Sequence, residues 1–197
     1  MGRGDDGYTV RELSPRTWPD FEGLFAKHGG AQAGCWCMFY HRARPIGRET
    51  HDGKASRSRN RRDKQELVER GRSHGILVYA GTHAVGWCQY GPRGELPRID
   101  AGRFYRGLSV QEEEKPLWRI TCFFVDPQHR RKGVGARALR AVLASIEEKG
   151  GGTVEAYPVT SKRAVPTWFG SVGMFEREGF RTVSPLGKSN VLVRRTV

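Results

Sequence analysis

Apolar and polar positions along the first half of the chain predict a sequence of short elements. Alternation over residues 8–13 predicts a strand, and an apolar stripe at helical spacing over residues 18–26 predicts a helix. Residues 29–62 lose this pattern and predict a loop region. A short helix over residues 63–72 is expected next, followed by a hairpin that turns at Gly81-Thr82.

The second half of the chain carries stronger patterns. After a further loop over residues 91–116, the apolar run LWRITCFFV over residues 117–125 predicts a central strand. Leu139, Val142, Leu143 and Ile146 recur at intervals of three and four and predict a helix over residues 134–149. A strand at TVEAYPV, a short helix over residues 170–178 and a final hairpin complete an α/β fold on a mixed sheet.

Length and composition narrow the class of protein. A chain of 197 residues favours one domain, with a structured core over about 7–194 and a basic loop over 41–62. The formal charge of +13 predicts an attraction for anions, whether cofactor, nucleic acid or substrate. Four cysteines are too few for a disulfide framework, and no apolar run is long enough for a membrane span. We therefore expect a cytoplasmic protein without a membrane partner.

The stretch VDPQHRRKGVGARALR, residues 125–140, places four potentially cationic side chains, at residues 129–132, directly ahead of two glycines at a predicted helix start. Such a turn can hold a phosphate on its backbone N–H groups. It lacks the Gly-Lys-Ser/Thr ending of a P-loop. Gly133, Gly135 and Ala138 do satisfy the G-x-G-x-x-A dinucleotide fingerprint, with Glu155 at a suitable distance, but residues 126–132 separate the first glycine from the strand.

The same stretch strongly resembles motif A of the GNAT superfamily of N-acetyltransferases, with Arg130-x-x-Gly133-x-Gly135 as its core, and MFEREGF at residues 174–180 is similar to motif B. The resemblance implies a mostly antiparallel mixed sheet flanked by helices, in one domain, and acetyl-CoA as the cofactor. It implies that the pyrophosphate lies on the turn and that the preceding strand binds the pantetheine arm. The residues expected to bind the cofactor are Phe123, Phe124, Val125, Arg130, Arg131, Lys132, Gly133, Val134, Gly135 and Ala136.

The catalytic residues are less clearly marked. Many members of the family have a tyrosine four residues before the Gly-Phe pair of motif B, where it protonates the leaving thiolate. This chain has Phe175 at that position. Tyr157 is the nearest alternative acid, although packing is the simpler role for a tyrosine on a core strand. Glu155 is the candidate base, or else a surface carboxylate on the other face of the sheet.

Trp36, Tyr40 and Trp118 are expected to line the acceptor pocket, while packing alone would equally explain the knot CWCMFY at residues 35–40. The C-x-C pair lacks a second pair of ligands, so we expect no metal site. The excess positive charge favours a small, neutral or anionic amine as acceptor for direct attack on the thioester. Two alternatives stay open: nucleic-acid binding through RSRNRR at residues 57–62, for which no recognition motif is present, and acyl-CoA sensing without turnover.

Overall fold

Seven strands form one sheet in the computed structural model, which describes residues 7–43, 53–108, 117–160 and 168–197. Their order across the sheet is β1-β2-β3-β4-β5-β7-β6. Only the pair β4 and β5 is parallel, and all other neighbours are antiparallel. The strands are β1 (Tyr8–Glu12), β2 (His74–Ala80), β3 (His83–Pro92), β4 (Leu117–Val125), β5 (Thr153–Ala156), β6 (Arg181–Leu186) and β7 (Asn190–Thr196).

Helices cover both faces of this sheet. They are α1 (Trp18–Lys27), α2 (Gly53–Glu69), α3 (Arg98–Ala101), α4 (Arg103–Arg106), α5 (Val134–Glu148) and α6 (Val172–Glu176). Alternate residues of β2 assign the faces, because Ile76 and Val78 pack in the same core as α5, whereas Leu77 and Tyr79 pack in the same core as α1. Two hydrophobic cores therefore lie on opposite sides of one sheet.

The predicted fold class, an α/β fold with a mixed, mostly antiparallel sheet in a single domain, is confirmed. The run LWRITCFFV forms β4 over the predicted residues, and the α5 stripe is buried as expected, with Leu139, Val142 and Ile146 fully inaccessible. The first hairpin turns at Gly81, whose φ of +58° suits a glycine. No helix among the described residues has the length and apolar character needed to cross a membrane.

The prediction of a basic loop over residues 41–62 is wrong from Gly53 onward, where α2 begins; residues 44–52 lie outside the described part. The inner face of α2 repeats every four residues as Ser56, Asn60, Lys64 and Val68. Only one of these four residues is apolar, so hydrophobic periodicity could not reveal the helix. The predicted loop over 91–116 also contains α3 and α4, and residues 109–116 lie outside the described part.

Candidate active site

The two parallel strands at the centre of the sheet separate halfway along β4. Pairing of β4 with β5 ends at Ile120 and Ala156. The register between β3 and β4 shifts at the same level, since Gln89 faces Cys122 while Tyr90 faces Ile120, which leaves Thr121 as an extra residue in a bulge. Bulges bend a strand and increase its twist. The bulge therefore turns the end of β4 away from β5 and opens a cleft between them.

The glycine turn leads from the end of β4 into α5. Gly133 is the N-cap of α5 with a φ of +81°, and it brings no side chain to cap the helix. The N–H groups of the first helical turn have no acceptors within the helix and carry partial positive charge. A Cβ atom built on Gly133 would meet nothing within 4 Å, and one on Gly135 would meet only the Met174 sulfur at 3.6 Å. The turn is an open cradle of backbone donors.

Cationic side chains surround this cradle. Arg130, Arg131 and Lys132 are all exposed, and Arg131 has a left-handed φ of +58°. The Arg130 guanidinium donates from Nε to the Val125 carbonyl oxygen at 3.2 Å, so part of its hydrogen-bonding capacity is used to close the turn. The predicted turn residues, with Val134 and Ala136 at the start of α5, are thus brought together at one place and fit an anion such as a pyrophosphate.

Asp126 fixes the position of the turn. Its buried carboxylate accepts hydrogen bonds from Lys27 Nζ at 2.7 Å and His28 Nε2 at 3.1 Å, at the end of α1, and from the Gln128 amide at 3.0 Å. Burial alone would raise the pKa of Asp126, but these donors, led by Lys27, outweigh it and hold the pKa well below its usual range. An ionised aspartate thereby ties the start of the turn to α1.

The predicted strand residues Phe123, Phe124 and Val125 lie on β4 beyond the bulge. Phe123 and Val125 face the core under α5, while Phe124 faces α1 and stacks on Trp168 with ring centroids 5.7 Å apart. The Phe123 amide donates to the Trp168 carbonyl oxygen at 2.7 Å. The backbone of Trp168 thus occupies the edge of β4 that a pantetheine arm would need, and the binding of such an arm requires this segment to shift.

A pocket of about 430 Å³ opens on the α1 side of the sheet, next to the end of β5. Six of its thirteen described lining residues are aromatic, namely Phe39, Tyr40, Phe104, Tyr105, Tyr157 and Phe169. Arg98 and Lys188 supply the charged groups among the described lining residues, which include neither aspartate nor glutamate. The volume and the aromatic wall suit a small molecule.

Glu155 lies beneath this pocket rather than in its wall. Its carboxylate is fully buried, accepts hydrogen bonds from the hydroxyls of Tyr105 and Tyr157, each 2.9 Å from Oε2, and forms an ion pair with Arg194 at 2.6 Å. The Arg119 guanidinium lies 3.7 Å from the same carboxylate and is paired with Asp100 through two bonds of 2.7 Å. The alternative of a surface carboxylate is therefore wrong, because Glu155 is fully buried, and the two tyrosines separate it from the pocket.

Tyr157 does reach the pocket, and its hydroxyl bridges the pocket wall and Glu155. Burial raises the pKa of Tyr157 well above its usual value; the charge of Arg119 opposes this rise and the charge of Glu155 adds to it. Tyr157 therefore keeps its proton at neutral pH. The family position for an acid holds Phe175, which is fully buried and packs edge to face against Phe123 and Phe180, with centroids 5.9 and 5.0 Å away.

The three predicted acceptor residues have different locations. Tyr40 lines the pocket, as expected. Trp36 instead packs against Phe21 and Phe25 of α1, with a left-handed φ of +48° in its loop. Trp118 is on the opposite face of the sheet, in the core beneath α5, where its indole N–H donates to the Gly151 carbonyl at 3.1 Å. The predicted placement of Trp36 and Trp118 at the pocket is therefore not reproduced.

A buried polar network holds the loop that carries Tyr40 against the bulge in β4. Gln89 on β3 accepts from Thr121 Oγ1 at 3.1 Å and donates to the Cys37 carbonyl at 2.9 Å and to His41 Nε2 at 3.0 Å. His41 Nδ1 faces the Glu95 carbonyl at 2.9 Å, so Nδ1 carries the proton and Nε2 accepts. Burial, and then the charge of Lys64, keeps the pKa of His41 well below its usual value.

The cysteines contribute to this packing. Cys37 Sγ lies 3.5 Å from Cys122 Sγ and accepts from the Trp87 indole N–H at 3.2 Å, and burial raises the pKa of Cys37 well above its usual value. All four cysteines are free thiols. Among the described residues, no group of three or more His, Cys, Asp or Glu side chains is arranged to hold a metal.

Several residues of the site have no signal in the sequence. Arg98, Tyr105, Phe169 and Lys188 come from four separate segments, and no short motif connects them. Arg98 and Tyr105 lie on α3 and α4, inside a stretch that shows no clear periodicity.

The arginine run at residues 57–62 lies on α2 and outside the pocket. Its Arg61 pairs with Glu22 of α1, and the aliphatic part of the Arg57 side chain packs against Gly34.

Comparisons with known proteins agree with this geometry. The family model of the acetyltransferase (GNAT) family matches residues 36–180. The fold resembles solved structures of the histone acetyltransferase HPA2 and related acetyltransferase from Corynebacterium glutamicum (15% identity, TM-score 0.56, 95% of each chain) and of an N-acetyltransferase from Staphylococcus aureus Mu50 (12% identity, TM-score 0.55, 96% of this chain and 97% of the other). It also resembles yncA from Salmonella typhimurium, solved with its cofactor acetyl-CoA (12% identity, TM-score 0.54, 96% of this chain and 94% of the other).

No curated protein matches the sequence. At such low identities the solved structures support the fold alone. The family match is the stronger finding, because it covers well over half of the chain and includes the glycine turn, the separated strands and the segment GMFEREGF at residues 173–180. The chain belongs to the GNAT family of acetyltransferases.

Proposed function

We propose that this protein is an acetyl-CoA-dependent N-acetyltransferase that acetylates the primary amine of a small, neutral or anionic molecule. The observation that carries the proposal is the pocket of aromatic and cationic residues beside the point where β4 and β5 separate. A polycationic amine would need carboxylates in its pocket, and the described lining residues provide none. Acetyl-CoA supplies the acetyl group in the form of an activated thioester.

The glycine turn and the strand before it would bind this cofactor. The first-turn amides of α5 and the exposed cations around them suit the pyrophosphate, and β4 beyond Ile120 has an edge that β5 leaves unpaired. A backbone N–H on this part of β4, such as that of Phe123, would stabilise the charge that develops on the thioester oxygen. Release of the Trp168 carbonyl from Phe123 is the change that makes this amide available.

The acceptor amine would attack the thioester directly. None of the described lining residues is a cysteine, so the pocket wall offers no thiol for an acyl-enzyme. Tyr157 is the proposed acceptor of the amine proton, since its hydroxyl is protonated at neutral pH and donates to Glu155. As the amine nitrogen bonds to the thioester carbon and the C–S bond breaks, the Tyr157 oxygen would take the amine proton while its own proton passes to Glu155, and the CoA thiolate would leave and take a proton from water. Glu155 would act as base only through this hydroxyl, which makes it a positioning residue for Tyr157.

The test is release of the CoA thiol from acetyl-CoA in the presence of a panel of amines. We expect turnover with neutral or anionic amines such as amino acids, and much weaker turnover with polyamines and aminoglycosides. Replacement Tyr157→Phe should lower kcat by roughly 100-fold, the usual contribution of a general acid or base. The matched control is Tyr79→Phe on β2, which lies outside the pocket wall and removes a hydroxyl that donates to Asp20 of α1.

Two results would contradict the proposal. Faster acetylation of polycations than of amino acids would remove the assignment of the acceptor class. Absence of turnover with every amine, despite saturable acetyl-CoA binding, would favour a protein that senses acyl-CoA without catalysis.

A further inference from the structure

Two phenylalanines stand partly exposed at the mouth of the pocket. Phe39 and Phe104 each expose 48% of their surface, which is more than any other large apolar residue in the described segments. They come from different parts of the chain, the loop after α1 and helix α4, and the fold brings them to the same cavity. Exposed apolar side chains grouped at a cavity are typical of a ligand site, because a bound apolar group removes them from water.

The inner wall continues this aromatic surface. Tyr40 packs edge to face with Phe39 at 4.9 Å and with Phe169 at 6.4 Å, and Tyr105 does so with Tyr157 at 6.3 Å. The hydroxyls of Tyr105 and Tyr157 are directed to Glu155. Tyr157 is only 3% exposed, whereas the half-buried Tyr105 ring, with the Arg119 guanidinium 5.2 Å from its centroid, keeps part of its surface for a ligand. A planar ring in the ligand would find faces and edges of several rings at once.

The arginines near the pocket differ in how they are paired. Arg119 and Arg194 are held by Asp100 and Glu155, and their charges are compensated within the protein. Arg98, at the start of α3, stacks its guanidinium on the Phe39 ring at 3.8 Å, and no carboxylate in the described segments lies within ion-pair distance of it. Lys188, in the turn between β6 and β7, likewise has no ion pair with a described carboxylate.

These positions favour Arg98 as the residue of the pocket that binds an anion. A guanidinium stacked on a ring through its face keeps its N–H edges available, and these edges match the two oxygens of a carboxylate. The half-buried position of Arg98 strengthens such a bond, since less water competes for it. Lys188 adds a second, more exposed positive charge at the mouth.

We propose that the acceptor is an aromatic amino acid or a closely related aromatic amino carboxylate, whose ring packs between Phe39, Phe104 and the inner tyrosines and whose carboxylate is bound by Arg98 with support from Lys188. Its amino group then points toward Tyr157, where β4 and β5 separate. This assignment of the substrate class rests on the proposed acetyltransferase function, but the recognition of ring and carboxylate is a property of the pocket itself and can be measured without turnover.

The experiment compares three probes by calorimetric titration into the protein, alone and saturated with CoA. L-Phenylalanine carries ring, amine and carboxylate; 2-phenylethylamine lacks only the carboxylate; L-alanine lacks the ring. We expect L-phenylalanine to bind roughly tenfold or more tightly than either partial probe, as expected for a charge-assisted bidentate hydrogen bond and for burial of a ring. Arg98→Gln should remove the advantage over 2-phenylethylamine, and Lys188→Gln should reduce it.

The matched control is Arg106→Gln, which removes an exposed charge from α4, whose residues Phe104 and Tyr105 line the pocket, without touching the lining. It should leave the preference unchanged. Equal binding of L-phenylalanine and 2-phenylethylamine, an unchanged preference in Arg98→Gln, or no binding of L-phenylalanine would overturn the proposal.

A parallel assay of CoA thiol release distinguishes the proposed enzyme activity from the proposed pocket assignment. Binding with the expected preference but no acetylation rejects the enzyme and keeps the pocket assignment, whereas acetylation of amines regardless of a carboxylate keeps the enzyme and rejects the assignment.

Discussion

Lys64 is a buried charged residue whose contacts support the structure and whose desolvation disfavours folding. Its ammonium group is fully buried, 3.3 Å from His41 Nε2 and above the rings of Phe21 and Trp87 at 5.8 and 5.4 Å. Burial lowers the pKa of Lys64 to about 8, although the nearby thiols and Glu95 act to raise it. Lys64 thus supports the polar network that holds the loop carrying Tyr40, while the desolvation of its charge disfavours folding.

This position predicts a pH-dependent effect of Lys64→Met. Below pH 8 the lysine is charged in both the folded and the unfolded state, and the lowered pKa disfavours folding by about 3 kcal/mol. That penalty fades as pH rises from 8 toward 10.5, because only the unfolded state then keeps the proton. Lys64→Met should therefore raise the free energy of unfolding relative to wild type at pH 7, and the difference should shrink by pH 10.

Urea denaturation of both proteins at pH 7 and pH 10 measures this difference. Arg62→Met, at an exposed position of the same helix, is the control and should show no such change with pH. A stability difference for Lys64→Met that stays constant between the two pH values would contradict the account of Lys64 as a desolvated, charged residue.

At the scale of elements, the bulge in β4 and the start of α5 define the site together. The end of β4 and the start of α5 follow from local sequence, since Asp126-Pro127 ends the strand and Gly133 permits the left-handed N-cap of α5. This is why the turn and the bounds of β4 could be predicted. The pocket that we propose for the acceptor could not be predicted, because Arg98, Tyr105 and Lys188 meet only through the arrangement of α3, α4 and the last hairpin.

Gly135 offers a direct test of the turn, because it lies in the first turn of α5 and has space for a side chain. A Cβ there would lie 3.6 Å from the Met174 sulfur, an ordinary contact, so Gly135→Ala and Gly135→Asp should both fold. Gly135→Asp places a carboxylate beside the expected pyrophosphate and should weaken acetyl-CoA binding at least 100-fold, whereas Gly135→Ala should retain most of the affinity. Titration of acetyl-CoA into each variant measures the effect, and undiminished affinity of a folded Gly135→Asp protein would show that the pyrophosphate lies elsewhere.

At the scale of the whole molecule, two groups of cationic residues near the candidate site contribute to the net charge of +13. The cations around the glycine turn and those that line the aromatic pocket would both attract anionic ligands. The sequence indicated this attraction and the family motif, but it placed the arginine run of residues 57–62 in a loop. Part of that run instead packs α2 against α1 and the loop before it, as Arg61 and Arg57 show. Packing contacts made by charged residues leave no trace in hydrophobic periodicity, which explains why this part of the prediction failed.

The central claim is that the turn before α5 binds acetyl-CoA, and calorimetric titration of acetyl-CoA into the purified, nucleic-acid-free protein tests it most directly. NAD is the comparison ligand, because it also carries a pyrophosphate and the turn satisfies part of the dinucleotide fingerprint. Moderate salt limits nonspecific attraction between anions and this basic protein. Saturable one-to-one binding of acetyl-CoA without binding of NAD is the predicted result. Binding of NAD in preference to acetyl-CoA, or no binding of acetyl-CoA, would contradict it.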